Sequence, residues 1–510
     1  MRFAVIDQGR LRGGEFGLWE HADAILVRDD WDDDGYRTAF TLRLRTPEGP
    51  VDIGTVKIGH TSMSRGGESA TPLPARFAEL DRSFFSLGQD DHYYARLRRL
   101  PGHVRQDVLR ALRDIAFDED SCRLALGHDV ARTSLLRFVQ LSAVRGQLRR
   151  IARGGDRRIS FDIAYEPPAP PGVEPLRLRF RVEPGSRPGT NVHALTGRNG
   201  VGKSYVLSHL ARAVAAVEPM PELLGRVIEY GREGRSFTNL VTVSFSAFDD
   251  FPVVEGDEMF LASYVGLRVQ GARSPKFKTP YGLRGDFGRA LRACLTRERA
   301  PRWIAALRTL DHPGGGLLEE GWLENFENTV SLRSREKKAR ALFRGLSAGH
   351  RIVLLTMTRL IEHVGERTLV IIDEPETHLH PPLLAAFMRA LSDLLADRNG
   401  LAVVATHSPV VLQEIPAHCV WKLWRYGDQL GGGRPRVETY GENVGLLTHE
   451  VFGLEVAEAG FLRDLRRLVA EDHSYDSVVD HYGGRLGSEA QLALSALLGV
   501  RDDPADETEG

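Results

Sequence analysis

Gly197-Arg198-Asn199-Gly200-Val201-Gly202-Lys203-Ser204 decides the fold. It fits the GxxxxGK[ST] pattern, follows a short apolar stretch at 192–195 and precedes a segment with helical character. Glycines at these places let backbone N–H groups curl around phosphate oxygens, and the helix behind them presents its positive end. Lys203 is expected to reach the β and γ phosphates of ATP and Ser204 to offer its hydroxyl to Mg²⁺. The nucleotide-binding set thus runs through the octapeptide to Tyr205.

Working outward, Leu369-Val370-Ile371-Ile372-Asp373-Glu374 is a continuous apolar run ending in two acids. A central parallel strand has this composition, and its carboxylates then stand at the ligand-facing end of the sheet. Asp373 is expected to hold the metal, directly or through water, and Glu374 to orient and deprotonate the attacking water. These acids come about 170 residues after the phosphate loop, which an ordinary buried strand with a polar end would not explain. A further apolar strand at 401–405 delivers Thr406-His407-Ser408 to the same end, where His407 can hydrogen-bond a γ-phosphate. Leu346-Ser347-Ala348-Gly349-His350 opens a helix; alone it is only a serine N-cap with a glycine.

The order phosphate loop, Ser-x-Gly helix start, acidic strand, histidine strand resembles the ABC-type ATPase head of transporters and of SMC, RecF and OLD-like DNA-associated proteins. The resemblance covers roughly 176–425, with LSAGH standing for the signature motif and His407 for the switch histidine. It implies an α/β fold: an ABC-type P-loop ATPase with a mixed β-sheet core, a helical signature subdomain and an α+β N-terminal extension. It also implies that Ser347 and Gly349 complete the ATP site of a second protomer in a nucleotide-sandwiched homodimer or higher oligomer. Pro375-Glu376-Thr377-His378-Leu379-His380-Pro381 looks like the form found in OLD-like soluble ATPases rather than transporters. A metal reading of His378 and His380 lacks a nearby third ligand in the sequence.

One departure stands out. The family places a Mg²⁺-contacting glutamine after a strand between phosphate loop and signature. Here the corresponding strand, 240–245, is followed by Ser246-Ala247-Phe248-Asp249-Asp250, which leaves Ser246, Asp249 and the more distant Gln270 as alternatives. The adenine-contacting aromatic is unassigned, with Phe180 in a plausible strand.

Residues 38–58 read as a hairpin around Pro47-Glu48-Gly49-Pro50. Val104, Val108, Leu109, Leu112, Ile115 and Ala116 fall on one helical face, and Leu135, Leu136, Val139 and Val144 suggest another helix. Pro167-Pro168-Ala169-Pro170-Pro171-Gly172 is a linker or a loop between strands. The organisation expected is an α+β region at 1–166, an ATPase core at 176–425 with a helical insertion at about 205–345, a helical extension at 426–500 and an acidic tail at 501–510.

At 510 residues the chain predicts roughly two to four domains, or one large domain with insertions. With 42% apolar and 27% charged residues it reads as an ordinary globular protein. Lys plus Arg (67) and Asp plus Glu (69) nearly cancel, so overall charge draws it to neither nucleic acid nor membrane. Two local basic groups, Arg145, Arg149, Arg150, Arg153, Arg157, Arg158 and Arg333, Arg335, Lys337, Lys338, Arg340, are solvated helix faces or DNA-phosphate contacts. Three scattered cysteines and no run of roughly 18 apolar residues predict a cytoplasmic protein with no disulfide scaffold.

Three functions share this core: a transporter motor, a DNA-repair or recombination ATPase of RecF/SMC type, and a defence ATPase coupled to a nuclease. No long heptad array is present for a coiled coil. The roughly 100 residues after His407 are few for a nuclease domain and carry no cluster of acids, so cleavage is expected of a partner. LGQDDHYYARL, LRDIAF, FSAFDDFP and GENVGLLTHEVFGL are similar to the ATPase subunits of Septu-type and retron-linked anti-phage systems, which implies a separate HNH nuclease. An ATP-gated scaffold with little turnover is the non-enzymatic alternative, against which Glu374 argues, since a scaffold needs no base.

Overall fold

A computed structural model describes residues 1–7, 19–29, 32–65, 69–231, 235–245, 254, 256, 260–269, 276–296, 298–312, 315–458, 460–471 and 473–502. Ser246, Asp249 and Gln270 lie outside these residues, as does most of the acidic tail.

The first strands are β1 (Phe3–Asp7), β2 (Ala24–Arg28), β3 (Ala39–Thr46), β4 (Gly49–His60), β5 (Arg76–Phe77) and β6 (Phe84–Gly88). They form a sheet in the order β5-β1-β2-β3-β4-β6, in which only β1 and β2 pair in parallel. The hairpin expected around Pro47-Glu48 is the β3–β4 pair, closing at Thr46 and Gly49. Two helical expectations are corrected. The helix carrying Val104 runs Gly102–Ala111 only, because Arg113 takes a left-handed backbone (φ 54°) that stops it. Ile115 and Ala116 are buried beyond that stop, where the Asp114 carboxylate accepts from the Ala116 and Phe117 N–H groups. Leu135 and Val144 belong to separate short helical turns, Ala131–Leu135 and Val144–Leu148.

Among the described residues ten strands follow: β7 (Phe161–Glu166), β8 (Leu178–Val182), β9 (Val192–Gly197), β10 (Arg226–Glu229), β11 (Asn239–Ser244), β12 (Leu261–Gly266), β13 (Thr368–Asp373), β14 (Leu401–Ala405), β15 (Val420–Tyr426) and β16 (Gln429–Gly433). Seven make a sheet ordered β12-β11-β13-β14-β9-β15-β16, parallel except for the final β15–β16 hairpin. β10, β7 and β8 form a small antiparallel sheet, so the proline run at 167–171 is a loop between paired strands.

Both faces of the seven-stranded sheet are covered, which is why β13 and β14 are buried throughout and apolar between Thr368 and Asp373 and along Leu401–Ala405. On one face the helix Lys203–Ala215 is held between the two sheets by Leu195, Val206, Leu210, Ile163 and Phe180. On the other lie the helices Pro280–Cys294, Ala300–Leu310, Ala348–His363 and Pro381–Arg398, with Trp303, Leu354 and Leu391 in their shared core. The result is an α/β arrangement of mixed sheets and helices. The helices Gly460–Ala470, Tyr475–His481 and Ser488–Asp502 pack around a separate small core of Leu465, Leu468 and Val478.

Candidate functional site

Strand register brings distant segments to one edge. Asp373 at the end of β13 is paired with Ala405 at the end of β14, and Ala405 in turn with Leu195 of β9. These three adjacent parallel strands therefore release Glu374, Thr406-His407 and the Gly197–Ser204 loop on the same side of the sheet. Two backbone bonds continue the alignment past the strands: Glu374 N–H donates to Ala405 O at 3.0 Å, and Thr406 N–H to Leu195 O at 3.0 Å.

The loop is shaped by its glycines. A Cβ on Gly197 would fall 2.4 Å from the Leu423 carbonyl oxygen of β15, so no other residue fits against that strand. Gly202 turns into the helix at φ +105°, and no side chain caps the first N–H groups of the helix behind it. The buried Lys203 Nζ donates to the carbonyls of Gly197 and Arg198 at 3.1 and 3.2 Å, closing the loop on itself. Arg198, Asn199, Gly200, Ser204 and Tyr205 are exposed and Val201 is buried.

Asp373 is 5% exposed at its strand end, whereas Glu374, in a left-handed conformation (φ 46°), is 46% exposed and points to solvent. His407 Nε2 lies 3.7 Å from Glu374 Oε1. Glu376, quoted in the sequence motif but given no role there, accepts from Thr406 Oγ1 at 2.9 Å and His407 N–H at 2.6 Å. It fastens the loop after the acids to the histidine turn.

Ser347 caps the helix Ala348–His363, accepting from His350 N–H, and its hydroxyl lies 2.8 Å from His350 Nδ1. A Cβ on Gly349 would meet the His378 carbonyl at 2.9 Å, so this helix start rests on the turn after the acids. Among the described contacts none joins Ser347 or Gly349 to residues 197–205 of the same chain. His378 Nε2 also lies 3.3 Å from the Phe245 carbonyl, just past β11.

Beside the phosphate loop, Pro167, Pro168, Pro170, Gly202, Tyr205, Arg425 and Asp428 line a cavity of about 360 Å³. Phe180, the aromatic considered for the base, is 1% exposed and packs edge-on against His193, so it offers no free face.

The first basic cluster is largely neither a solvated face nor a phosphate patch. Arg149 pairs with Glu119, Arg150 with Glu366, and Arg157 with Asp91 and Asp397, while Arg158 donates to Ala396 O. In the second, Arg335 donates to the Thr329 and Glu327 carbonyls and Arg340 pairs with Glu336. Arg145, Arg153, Arg333 and Lys337 remain exposed. No helix among the described residues is long and apolar enough to cross a membrane.

A family model described as "AAA domain, putative AbiEii toxin, Type IV TA system" matches residues 235–413. Over 535 aligned positions the chain is 36% identical to "Protein ea59" of Escherichia phage lambda, covering 99% of this chain and 99% of that protein. This chain belongs to the ea59 family. Solved structures similar to this ea59-family chain include an ATP-binding cassette of an ABC transporter in its ADP conformation (15% identity, 58% of this chain and 99% of that chain, TM-score 0.30). Another is a nucleotide-free ATP-binding cassette from an ABC transporter (15% identity, 54% of this chain and 91% of that chain, TM-score 0.27). The phosphate-loop segment Gly197–Ser204 of this ea59-family chain precedes the stretch that the AAA-domain model matches.

Proposed function

We propose that the chain binds Mg²⁺ and ATP at the shared ends of β9, β13 and β14 and hydrolyses the nucleotide. The observation that carries this reading is the Asp373–Ala405–Leu195 register, which aligns the three chemistry-bearing segments. The residues fit the ligands. An uncapped helix start behind left-handed Gly202 suits phosphate, and Ser204 with Asp373 supplies the oxygen donors that Mg²⁺ takes. Bound Mg²⁺ neutralises charge on the phosphates.

In this reading Lys203 exchanges the Gly197 and Arg198 carbonyls for phosphate oxygens. Glu374, exposed at the mouth of the site, takes the proton of the attacking water. His407, beside it and fixed through Glu376, donates to the γ-phosphate. Ser347 and Gly349, which make no described contact with their own phosphate loop, complete the site of a second copy. The nucleoside occupies the cavity between the proline loop and the β15–β16 hairpin.

We further propose that this ATPase regulates a nuclease-coupled anti-phage complex with a separate HNH-type subunit. A domain family described as a toxin of toxin–antitoxin systems, together with a phage-encoded relative, supports a place in phage–host conflict. Glu374→Gln is expected to lower turnover by at least about 100-fold while trapping an ATP-bound dimer, read by phosphate release and size-exclusion chromatography. Wild-type protein with no Mg²⁺-dependent ATPase activity, with or without DNA, would hand the reading to the ATP-gated scaffold.

A further inference from the structure

A second enclosed space lies away from the nucleotide edge. It is a cavity of about 460 Å³ where the N-terminal sheet region meets the helices Ala300–Leu310 and Ala348–His363. Lys57 of β4 and Phe138 bound it from the N-terminal side, and Asn239 of β11, Arg299 and Arg398 from the other. None of residues 197–205, Asp373, Glu374 or His407 lines it, so whatever it holds is independent of the function proposed above. Its volume falls within the range of small-molecule sites, about 300–1,000 Å³.

Most of the charge around this space is already neutralised. Asp91 pairs with Arg157 and Arg398, Asp90 with Arg302, Glu366 with Arg150, Glu362 with Arg359, and Lys57 with Asp33. Glu298, also on the wall, bears on Lys57. Arg299 is different. Its Nη2 donates to the Phe138 carbonyl at 3.0 Å and its guanidinium lies 5.5 Å from the Phe138 ring centroid, but no carboxylate of the described residues pairs with it. Burial, with Arg398 and Arg302 close by, holds this guanidinium below its usual range, yet an arginine keeps its proton at neutral pH. A positive charge thus stands on the cavity wall with donors that no protein acceptor takes.

Two further groups on the same wall lack partners. Arg398 Nε is buried with no acceptor, and Asn239, 3% exposed, has its Oδ1 buried with no donor. A buried cation without a counter-charge is costly, and a carboxylate or phosphate relieves that cost through charge-assisted N–H···O bonds to the guanidinium. Phe138, Leu295 and Ile361 give the rest of the space an apolar lining.

We propose that this cavity binds a small organic anion, its carboxylate or phosphate head on the Arg299 N–H groups that Phe138 O leaves unused, its body against the apolar lining. A donor on that body meets Asn239 Oδ1. Standing between the N-terminal region and the P-loop lobe, the occupant favours their docked arrangement in proportion to its own affinity.

The test is calorimetric titration of phenyl phosphate and of benzoate, one probe for each head, into the full-length protein. Saturable binding of at least one probe, at one per chain, is expected, and the tighter probe identifies the head. Arg299→Gln keeps a donor for Phe138 O and is expected to weaken that binding at least about 10-fold. Ala143→Phe, which fills the cavity from its wall and leaves every charge in place, is expected to do the same. Lys203→Ala should bind the probe as wild type does. No saturable binding of either probe, or wild-type affinity in Arg299→Gln, overturns the site; should that variant fail to fold, wild-type affinity in Ala143→Phe overturns it. Binding lost in Lys203→Ala and kept in Arg299→Gln puts the probe on the phosphate loop, which overturns this site and leaves the nucleotide reading standing.

Discussion

Glu376 shows how much of the proposed chemistry depends on a residue that touches no ligand. One carboxylate oxygen accepts from both the Thr406 hydroxyl and the His407 N–H. These bonds hold the backbone of the histidine turn against the loop after the acids. Glu376→Ala is expected to lower ATP turnover by about 10- to 100-fold with little change in ATP affinity, and Glu376→Gln, which keeps an acceptor oxygen, to recover part of the loss. Steady-state kinetics beside equilibrium nucleotide binding separate these effects. Lys203, Asp373, Glu374 and His407 were legible as a set because each ends a recognisable pattern. Glu376 was not, since its role comes from a carboxylate reaching another strand's turn, and spacing in one motif does not encode that contact.

Among the elements, β9 carries the phosphate loop and also an acid-sensitive group. His193 is 1% exposed, 3.2 Å from Arg181 O through Nε2, and burial pushes its imidazole down to about 3. The folded protein therefore holds fewer protons here than the unfolded chain between that value and the ordinary 6.5. The stabilisation is fully present above about pH 6.5 and is lost as pH falls towards 3. His193→Gln is expected to lose about 2 kcal/mol less than wild type between pH 7 and 5, measured by urea unfolding. At the other side of the loop, the β15–β16 hairpin and the proline loop wall the cavity proposed for the nucleoside. Tyr205→Ala with Arg425→Ala should weaken ATP several-fold and leave inorganic tripolyphosphate binding unchanged; equal weakening of both would place the nucleoside elsewhere. Strands β13 and β14 could be read from composition because both faces are buried. The helix after Val104 was over-extended because Ile115 and Ala116 are just as buried, and apolar spacing does not reveal the left-handed Arg113 that ends it.

Across the whole molecule, the N-terminal sheet region and the P-loop lobe are joined by buried charge. Asp91 is 1% exposed and lies 2.5 Å from both Arg157 and Arg398, while Arg302 reaches Asp90 at 2.9 Å and Asp397 at 2.9 Å. Against the cost of burial, Arg398 holds the Asp91 carboxyl well below its usual range. The same arginines surround Asp90, Asp91 and His92, so that trio is an ion-pair junction rather than a metal centre. Removing one partner of such a network leaves buried charge uncompensated, and Asp91→Asn is expected to cost about 3–5 kcal/mol. Differential scanning calorimetry is expected to show one transition for the wild type and two for the variant as the lobes uncouple. This junction was hidden in the sequence, where Arg157 and Arg158 read as part of a surface cluster and their partners Asp397 and Ala396 lie more than 200 residues away. Its position matters for function because the helix Pro381–Arg398 begins after the Glu374 loop and ends in these ion pairs, linking the proposed nucleotide edge to the N-terminal region.

The central claim, that the ends of β9, β13 and β14 form one ATP site, is tested most directly by calorimetric titration of Mg²⁺ and ATP into wild type and Lys203→Ala. Saturable wild-type binding of one nucleotide per chain, weakened at least about 10-fold in the variant, is the predicted result. Equal affinity in the two proteins would contradict it.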